Sequence, residues 1–394
     1  MEYAYHDAVR LVSAVNKLND NTAVNTYTYT YDLNGNQLTK TDNTEQTTYT
    51  YDAANRLKSI TEPDGTSTGY SFDANGNIMT KAVTHPAEYE YTFQQDGTEF
   101  TLGGIATHTV NYTYDKNNRL LQEREFIGGD GTDYAGLVEI LRQYTYDANG
   151  NTTKRTTSGQ VDAEVVEYTY DALNRLTQYK DAQNNVTTYA YNADGERVSK
   201  TQNGVTTNYY WDRGYISAET AGSSTVTNYV GVGGVFARKS GTQTDYLFKN
   251  GHGDVTAKVS GGVVTKTYNY DAYGVEKNPD ANDTNPFRYC GEYFDSESES
   301  IYLRNRYYSP LSSRFITEDP ICSGSNWYAY CSNNPIMFVD PMGLSPRGNS
   351  YYLVIFAGIT QNEGSWDVGE AFKQQIREDN PNNTIHVLYI YPYD

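Results

Sequence analysis

Thr26-Tyr27-Thr28-Tyr29-Thr30-Tyr31-Asp32-Leu33-Asn34-Gly35-Asn36-Gln37-Leu38-Thr39-Lys40 decides how this chain folds. Tyrosine and threonine alternate with a period of two, which is a strand signal. Asn34-Gly35 then favours a tight two-residue hairpin with positive backbone angles, and a second strand follows. The unit recurs at Tyr51-Asp52, Phe72-Asp73, Tyr114-Asp115, Tyr146-Asp147 and Tyr170-Asp171, with degraded copies at Tyr191-Asn192 and Tyr210-Trp211-Asp212. Its second members stand at 32, 52, 73, 115, 147, 171, 192 and 212, giving steps of 20, 21, 42, 32, 24, 21 and 20 residues. The step of 42 is twice 21, which places a decayed copy near Phe93, Asp96 and Gly97. A fixed period of this size marks a repeat array. Tyr5-His6-Asp7-Ala8-Val9-Arg10-Leu11 aligns with Tyr51–Leu57, so the chain begins inside a repeat and is expected to be the C-terminal part of a longer array.

Composition agrees with a partly buried sheet. Of 394 residues only 37% are hydrophobic, a count that includes 40 tyrosines, so the core must use tyrosine rings whose hydroxyls stay bonded or wet. A long antiparallel sheet of hairpins has to curl or close to manage its edges. The net charge of −19 repels phosphate and argues against nucleic-acid binding by the repeats. The cysteines are Cys290, Cys322 and Cys331, without Cys-x-x-Cys spacing or a histidine cluster in the sequence, so neither a metal nor another cofactor is expected. No apolar run reaches membrane-spanning length, and MEYAYHDAVRL has no apolar signal-peptide region.

Several motifs take bland readings. Asp32-x-Asn34-Gly35-Asn36 and its copies lack the glycine at position six and glutamate at twelve of a calcium loop, and read as side-chain-capped turns. A residue needed in every hairpin serves something common to every hairpin, so the repeated aspartates are structural. Gly231-Val232-Gly233-Gly234 lacks a phosphate-loop setting and reads as a turn. His252, in Asn250-Gly251-His252-Gly253-Asp254, has no sequence neighbour that would make it a catalytic base.

From Asn285 the repeats stop. Pro286-Phe287-Arg288-Tyr289, Tyr302-Leu303-Arg304-Asn305-Arg306-Tyr307-Tyr308-Ser309-Pro310, Arg314-Phe315-Ile316-Thr317-Glu318-Asp319-Pro320, Asn326-Trp327-Tyr328-Ala329-Tyr330, Asn333-Asn334-Pro335 and Val339-Asp340-Pro341-Met342-Gly343-Leu344 follow in order. This block resembles the core-domain signature of RHS/YD-repeat proteins: bacterial polymorphic toxins, insecticidal toxin-complex C subunits and, distantly, teneurins. With the Tyr-Asp repeats, the resemblance covers about residues 1–344. Ser309, and Asp295 to Glu299, depart from the usual family pattern.

The resemblance implies an all-β fold, in which a spiralling antiparallel hairpin strip (1–284) forms part of a hollow shell and a core domain (285–344) plugs one end. Residues 345–394 would begin, or remain from, a variable α/β effector. It also implies single-turnover self-cleavage between Leu344 and Ser345, which releases the effector inside the shell. Asp319 and Asp340 each precede proline. If brought close, they would form a coupled acid–base dyad, one carboxylate activating water while the protonated one donates to the scissile carbonyl. Arg306 best matches the orienting position, with Arg314 second. Pro341 would stiffen the turn and Gly343 would permit close backbone approach. The plain alternative is that both aspartates only cap turns. Expected partners are the enclosed effector, a secretion-system component and an immunity protein, at a secreted or cell-surface location. The other functional reading is a surface protein that binds glycans or partner cells without cleavage.

In the last fifty residues, Tyr351–Ala357 and Thr384–Tyr391 read as buried strands. Asp367-x-x-Glu370 reads as the capping box of a helix with Val368, Ala371, Phe372 and Ile376 on one face. His386 reads as a packed residue. Strand, helix, strand suggests parallel pairing but too little surface to fold alone.

Overall fold

The computed structural model describes the chain except for residues 1, 6–9, 19, 87–89, 103–106, 129–137, 232, 349–350, 357–384 and 391–394. Among the described residues, twenty-three strands between Glu2 and Thr267 form one antiparallel sheet. Each pairs with its neighbours in the chain, as in Ala23–Tyr31 against Gln37–Asp42. The exception marks the step of 42. Tyr91–Gln95 and Thr98–Leu102 pair with each other outside the ladder, while Ile78–Thr84 pairs directly with Thr107–Tyr114. The decayed copy survives as a hairpin expelled from the strip.

Every Tyr-Asp step is a β-bulge. The register slips between Thr30 and Tyr31, Thr50 and Tyr51, Ser71 and Phe72, Thr113 and Tyr114, Thr145 and Tyr146, and Thr169 and Tyr170. A bulge bends its strand and strengthens the twist, so one bulge per repeat curves the whole strip. The aspartate closes the turn after the bulge. Asp32 Oδ1 accepts Asn36 N at 2.8 Å, Oδ2 accepts Asn36 Nδ2 at 2.9 Å, and the Asp32 carbonyl accepts Gly35 N at 3.1 Å. The repeated aspartates are therefore turn chemistry, as the sequence suggested.

The turn type differs from the expectation. Gly35 has φ +92°, but Asn34 is not among the positive-φ residues. The left-handed residue is the fourth of an aspartate-closed turn, so the loop is longer than the two-residue hairpin. Asn55, Asn118 and Asn174 fill the equivalent place with φ of 59°, 63° and 60°, because asparagine tolerates that region.

The tyrosine joins one repeat to the last. The Tyr31, Tyr51, Tyr114, Tyr146, Tyr170 and Tyr191 hydroxyls donate to the Leu11, Gln37, Ile78, Leu120, Thr152 and Leu176 carbonyls at 2.7–2.8 Å. The arginine of the Arg-Leu step adds a second link. Arg56 lies over Phe72, Arg119 over Tyr146 and Arg175 over Tyr191, 4.5–5.5 Å from the ring centres. Tyr27, Tyr29 and Tyr49 are buried. The intervening face carries hydroxyl pairs such as Thr30–Thr39 and Thr50–Ser59.

The strip curls until its ends touch through side chains. Asn16 Nδ2 donates to Lys249 O at 2.9 Å, Tyr27 OH donates to Thr256 Oγ1 at 2.9 Å, and Gly251 N donates to Tyr29 OH at 2.8 Å. Lys81 pairs with Asp271 at 2.9 Å. The Tyr-Asp turns therefore line one rim, and the segment after Asn285 lies across it. Asn334 Nδ2 donates to Asn36 Oδ1 and Asn55 O, Asn333 Nδ2 to Gly76 O, and Tyr328 OH to Gly150 O. Arg314 reaches Asn118 O. The fully buried Arg197 of the strip pairs with Asp295 and is surrounded by Tyr189, Tyr209, Tyr293, Tyr302 and Tyr307.

After Gly348 in the chain, Tyr351–Phe356 pairs in parallel with Ile385–Ile390, as expected. The helix expected between them, the His386 side chain and His6–Val9 of the first repeat copy lie outside the described residues.

Two substitutions test these links. Tyr170→Phe leaves the Thr152 carbonyl without its donor and should cost about 1–3 kcal/mol, read as a lower urea midpoint. Asp295→Ala strands the Arg197 charge and should cost about 3–5 kcal/mol, largely recovered when Arg197→Met is added. Wild-type midpoints in both single variants would contradict this account of the strip and of the segment that lies across its rim.

Candidate functional site

The two Asp-Pro steps fold locally as capped turns. Asp319 Oδ1 accepts Ile321 N at 3.1 Å and its Oδ2 accepts Ser323 N at 3.0 Å. Asp340 Oδ1 accepts Leu344 N at 3.0 Å and Ser345 N at 3.2 Å, while its carbonyl accepts Gly343 N at 3.1 Å. The turn-capping alternative thus describes both residues correctly. Their tertiary placement adds to it.

Arg306, on the strand Arg306–Ser309, stands between the two carboxylates. Its Nη2 lies 3.9 Å from Asp319 Oδ1 and 3.7 Å from Asp340 Oδ2. All three side chains are buried. Arg306 Nε donates to the Gly343 carbonyl, and Nη1 donates to Trp327 O at 2.8 Å. Its guanidinium covers the Phe315 ring at 3.5 Å. Successive residues hold successive carbonyls of the turn: Arg304 Nη1 takes Pro341 O at 2.6 Å, and Asn305 Nδ2 takes Met342 O at 2.9 Å. Gly343, at φ +62°, is required here, since a Cβ would stand 2.9 Å from Leu303 O and 3.1 Å from Arg306 N.

Burial sets the electrostatics. It pushes the Asp340 carboxyl above the usual carboxylate range, against the N–H groups of Leu344 and Ser345 and the Arg306 charge, with Asp319 adding to the rise. Burial also draws Arg306 down to about 10. Asp340 Oδ2 is buried without a hydrogen-bond partner. The arrangement holds two carboxyl groups against one cation, one of them 3.2 Å from the nitrogen of the Leu344–Ser345 bond. Carboxyl groups so placed can exchange protons with that bond and with a water beside it.

Arg314, the second candidate, lies elsewhere. It bonds Asn77 Oδ1 and Asn118 O and stacks on Tyr114 and Tyr328, fastening the block to the rim.

A second constellation escapes a reading by sequence spacing. His252 sits in a turn of the repeat type, with Asn250 in the aspartate position accepting His252 N and Asp254 N. His252 Nδ1 lies 2.9 Å from Asp254 Oδ1 and 3.8 Å from Cys290 Sγ. Three potential metal-ligating atoms thus lie within 4.8 Å of one another, where the sequence offered no metal cluster. Burial would lower the imidazole, but Asp254 and Cys290 hold it well above its ordinary range, and burial pushes the Cys290 thiol up to about 11. The only signal in the sequence was His252-x-Asp254; Cys290 comes from the segment that packs on this turn, its N–H donating to Asp254 Oδ1.

The Asp340 shift has a signed consequence. A carboxyl whose folded pKa exceeds its unfolded one contributes stability below the unfolded pKa and loses it as pH rises through the folded one. The melting temperature of the Asp319→Asn/Asp340→Asn double variant relative to Asp319→Asn should therefore climb as pH rises from about 4 through the raised pKa, then level off. A difference that falls over this window would contradict the assignment.

The RHS Repeat family matches residues 31–67, 51–88, 146–186 and 170–207. The chain is 29% identical over 337 residues to the tRNA3(Ser)-specific nuclease WapA of Bacillus spizizenii, covering 79% of this chain and 12% of that protein. It is 41% identical over 75 residues to the toxin protein Tse5 of Pseudomonas aeruginosa, covering 18% of this chain and 6% of the other. The crystal structure of TcdB2-TccC3-Cdc42 is 20% identical, with a TM-score of 0.45, over 87% of this chain and 20% of that one. The chain therefore spans about an eighth or less of these curated relatives. The family matches fall on the bulged Tyr-Asp hairpins themselves, so these hairpins are RHS repeats, and the chain is similar to proteins named as a nuclease and a toxin.

Proposed function

We propose that residues 1–284 form the wall, and 285–344 the plug, of an RHS shell that encloses a C-terminal effector beginning at Ser345. The plug cuts the chain between Leu344 and Ser345. One observation carries this reading: Asp340 contacts the Ser345 nitrogen at 3.2 Å while sharing the Arg306 guanidinium with Asp319. In the reaction, the ionised member of the carboxyl pair takes a proton from water. The resulting hydroxide adds to the Leu344 carbonyl carbon, with the carbonyl oxygen stabilised by the protonated carboxyl. The carbon–nitrogen bond then breaks, and Ser345 leaves as an amine after receiving a proton from the pair. Water is consumed, a new carboxylate ends at Leu344 and the carboxyl pair returns to its starting charge. Arg306 positions Gly343 and holds the two acids together.

Relatives that are named as toxin and nuclease support an enclosed effector. A secretion-system component, an immunity protein and a secreted or surface location follow from the same reading. The glycan-binding alternative draws less support, because Tyr27, Tyr29 and Tyr49, which could stack on sugars, are buried.

Intact mass spectrometry of the purified chain tests the proposal. The expected species are 1–344 and 345–394, replaced by the uncut chain in Asp319→Asn and Asp340→Asn, with Arg306→Ala slowed at least 10-fold. A folded, uncut parent chain would refute cleavage. A cut at Asp340-Pro341 would differ in mass and count against it too.

A further inference from the structure

We propose that His252, Asp254 and Cys290 bind one zinc-class divalent ion at the seam between the strip and the plug. The donors are an imidazole nitrogen, a carboxylate oxygen and a thiol sulfur. The set suits zinc, whereas calcium and magnesium take oxygen ligands. Tetrahedral zinc places such donors about 3.4–3.6 Å apart. The separations of 2.9 Å for Nδ1–Oδ1 and 3.8 Å for Nδ1–Sγ lie within a few tenths to half an ångström of that spacing, and the carboxylate oxygen and the sulfur lie within 4.8 Å of each other, so a small approach of the thiol completes the set.

The surroundings support ligation. With Nδ1 as ligand, Nε2 carries the hydrogen and faces the Phe338 carbonyl at 3.4 Å, the backbone partner that commonly orients a metal-bound histidine. The other Asp254 oxygen is fixed by Asn250 Nδ2 at 2.8 Å. Cys290 N donates to Asp254 Oδ1 at 2.9 Å, which anchors the thiol-bearing turn to the carboxylate. Beside the cluster is a cavity of about 310 Å³, lined by His252 and Asp254 with Tyr27, Tyr29 and Tyr270. It leaves room for water as the fourth ligand, so the site has the three-residue form of an open zinc centre. Use of Cys290 as a nucleophile fits less well, because burial keeps its thiol protonated.

On binding, the Cys290 thiol and the His252 Nδ1–H each give a proton to solvent, and the sulfur and the nitrogen each donate an electron pair to the ion; no redox change occurs. The ion would tie the turn Asn250–Asp254 to Cys290 beside the Phe338 carbonyl, which stands two residues before Asp340. This inference does not depend on self-cleavage.

Chelator-stripped full chain is titrated with Co²⁺, then Zn²⁺. One Co²⁺ per chain should bind, with a near-ultraviolet sulfur-to-cobalt charge-transfer band that Zn²⁺ abolishes. Cys290→Ser should remove the band and His252→Ala should weaken binding at least 10-fold, while Cys322→Ser leaves both unchanged. X-ray absorption on the zinc-loaded parent chain should find one sulfur at about 2.3 Å, a readout that needs no variant to fold. No stoichiometric binding, a band that survives Cys290→Ser in folded protein, or a shell without sulfur would each overturn the proposal.

Discussion

A single hydroxyl–carbonyl bond sets the architecture of this protein. Each Tyr-Asp bulge puts an extra residue into the strand after the turn, as Leu38 is left opposite Tyr31 and Thr30. The carbonyl beside such a bulge needs a donor that the ladder does not supply. The next tyrosine provides it, as Tyr51 does for Gln37. Phenylalanine fills the ring position at Phe72 but has no hydroxyl to give, and there Arg56 stacks on the ring at 4.5 Å. A tyrosine-rich sequence of low apolar content is thus what a bulged sheet of this length requires. Its rings bury area, and its hydroxyls satisfy backbone groups that would cost about 1–3 kcal/mol each if left bare.

Regular bulges also decide where the segment after Asn285 can sit. Because every Tyr-Asp turn falls at the same end of its hairpin, curvature and turn chemistry share a rim. That rim presents backbone oxygens such as Asn55 O, Gly76 O and Gly150 O, to which Asn334, Asn333 and Tyr328 donate. These are short-range, directional bonds. The buried Arg197–Asp295 pair then fixes the register between the two parts, since an unpaired charge at that depth is far costlier than a slipped neutral contact.

The array was legible because its information is local. Alternation, turn residues and a period near 21 lie within a few residues of one another, and they led to an antiparallel hairpin strip. Locality also explains the misreading at Asn34-Gly35. The dipeptide suggests a two-residue turn, but the Asp32 carboxylate captures Asn36 and moves the left-handed position to Gly35. The Arg306, Asp319 and Asp340 grouping came from an ordered motif, whereas neither the clamp of Arg304 and Asn305 on the Pro341 and Met342 carbonyls nor the role of Arg314 at the rim has a sequence period to announce it. Cys290 was invisible beside His252 for the same reason. Thirty-eight residues separate them, and they meet because the segment after Asn285 folds back on the strand that follows His252, Val255 N donating to Arg288 O.

Turn capping and acid–base chemistry are compatible uses of Asp340. Capping consumes Oδ1, which accepts Leu344 N and Ser345 N, and so puts the carboxyl group against the bond joining those residues. Oδ2 is left buried, without a hydrogen-bond partner and 3.7 Å from Arg306. A cap at an exposed turn would be solvated and ordinary. Here the turn is pressed against Leu303 and Arg306 so closely that its third residue after the aspartate has to be glycine, and burial then raises the carboxyl group that the cap has positioned. Local turn chemistry supplies the geometry, tertiary packing supplies the proton affinity, and neither alone would set a carboxyl group of raised pKa against the Leu344–Ser345 bond.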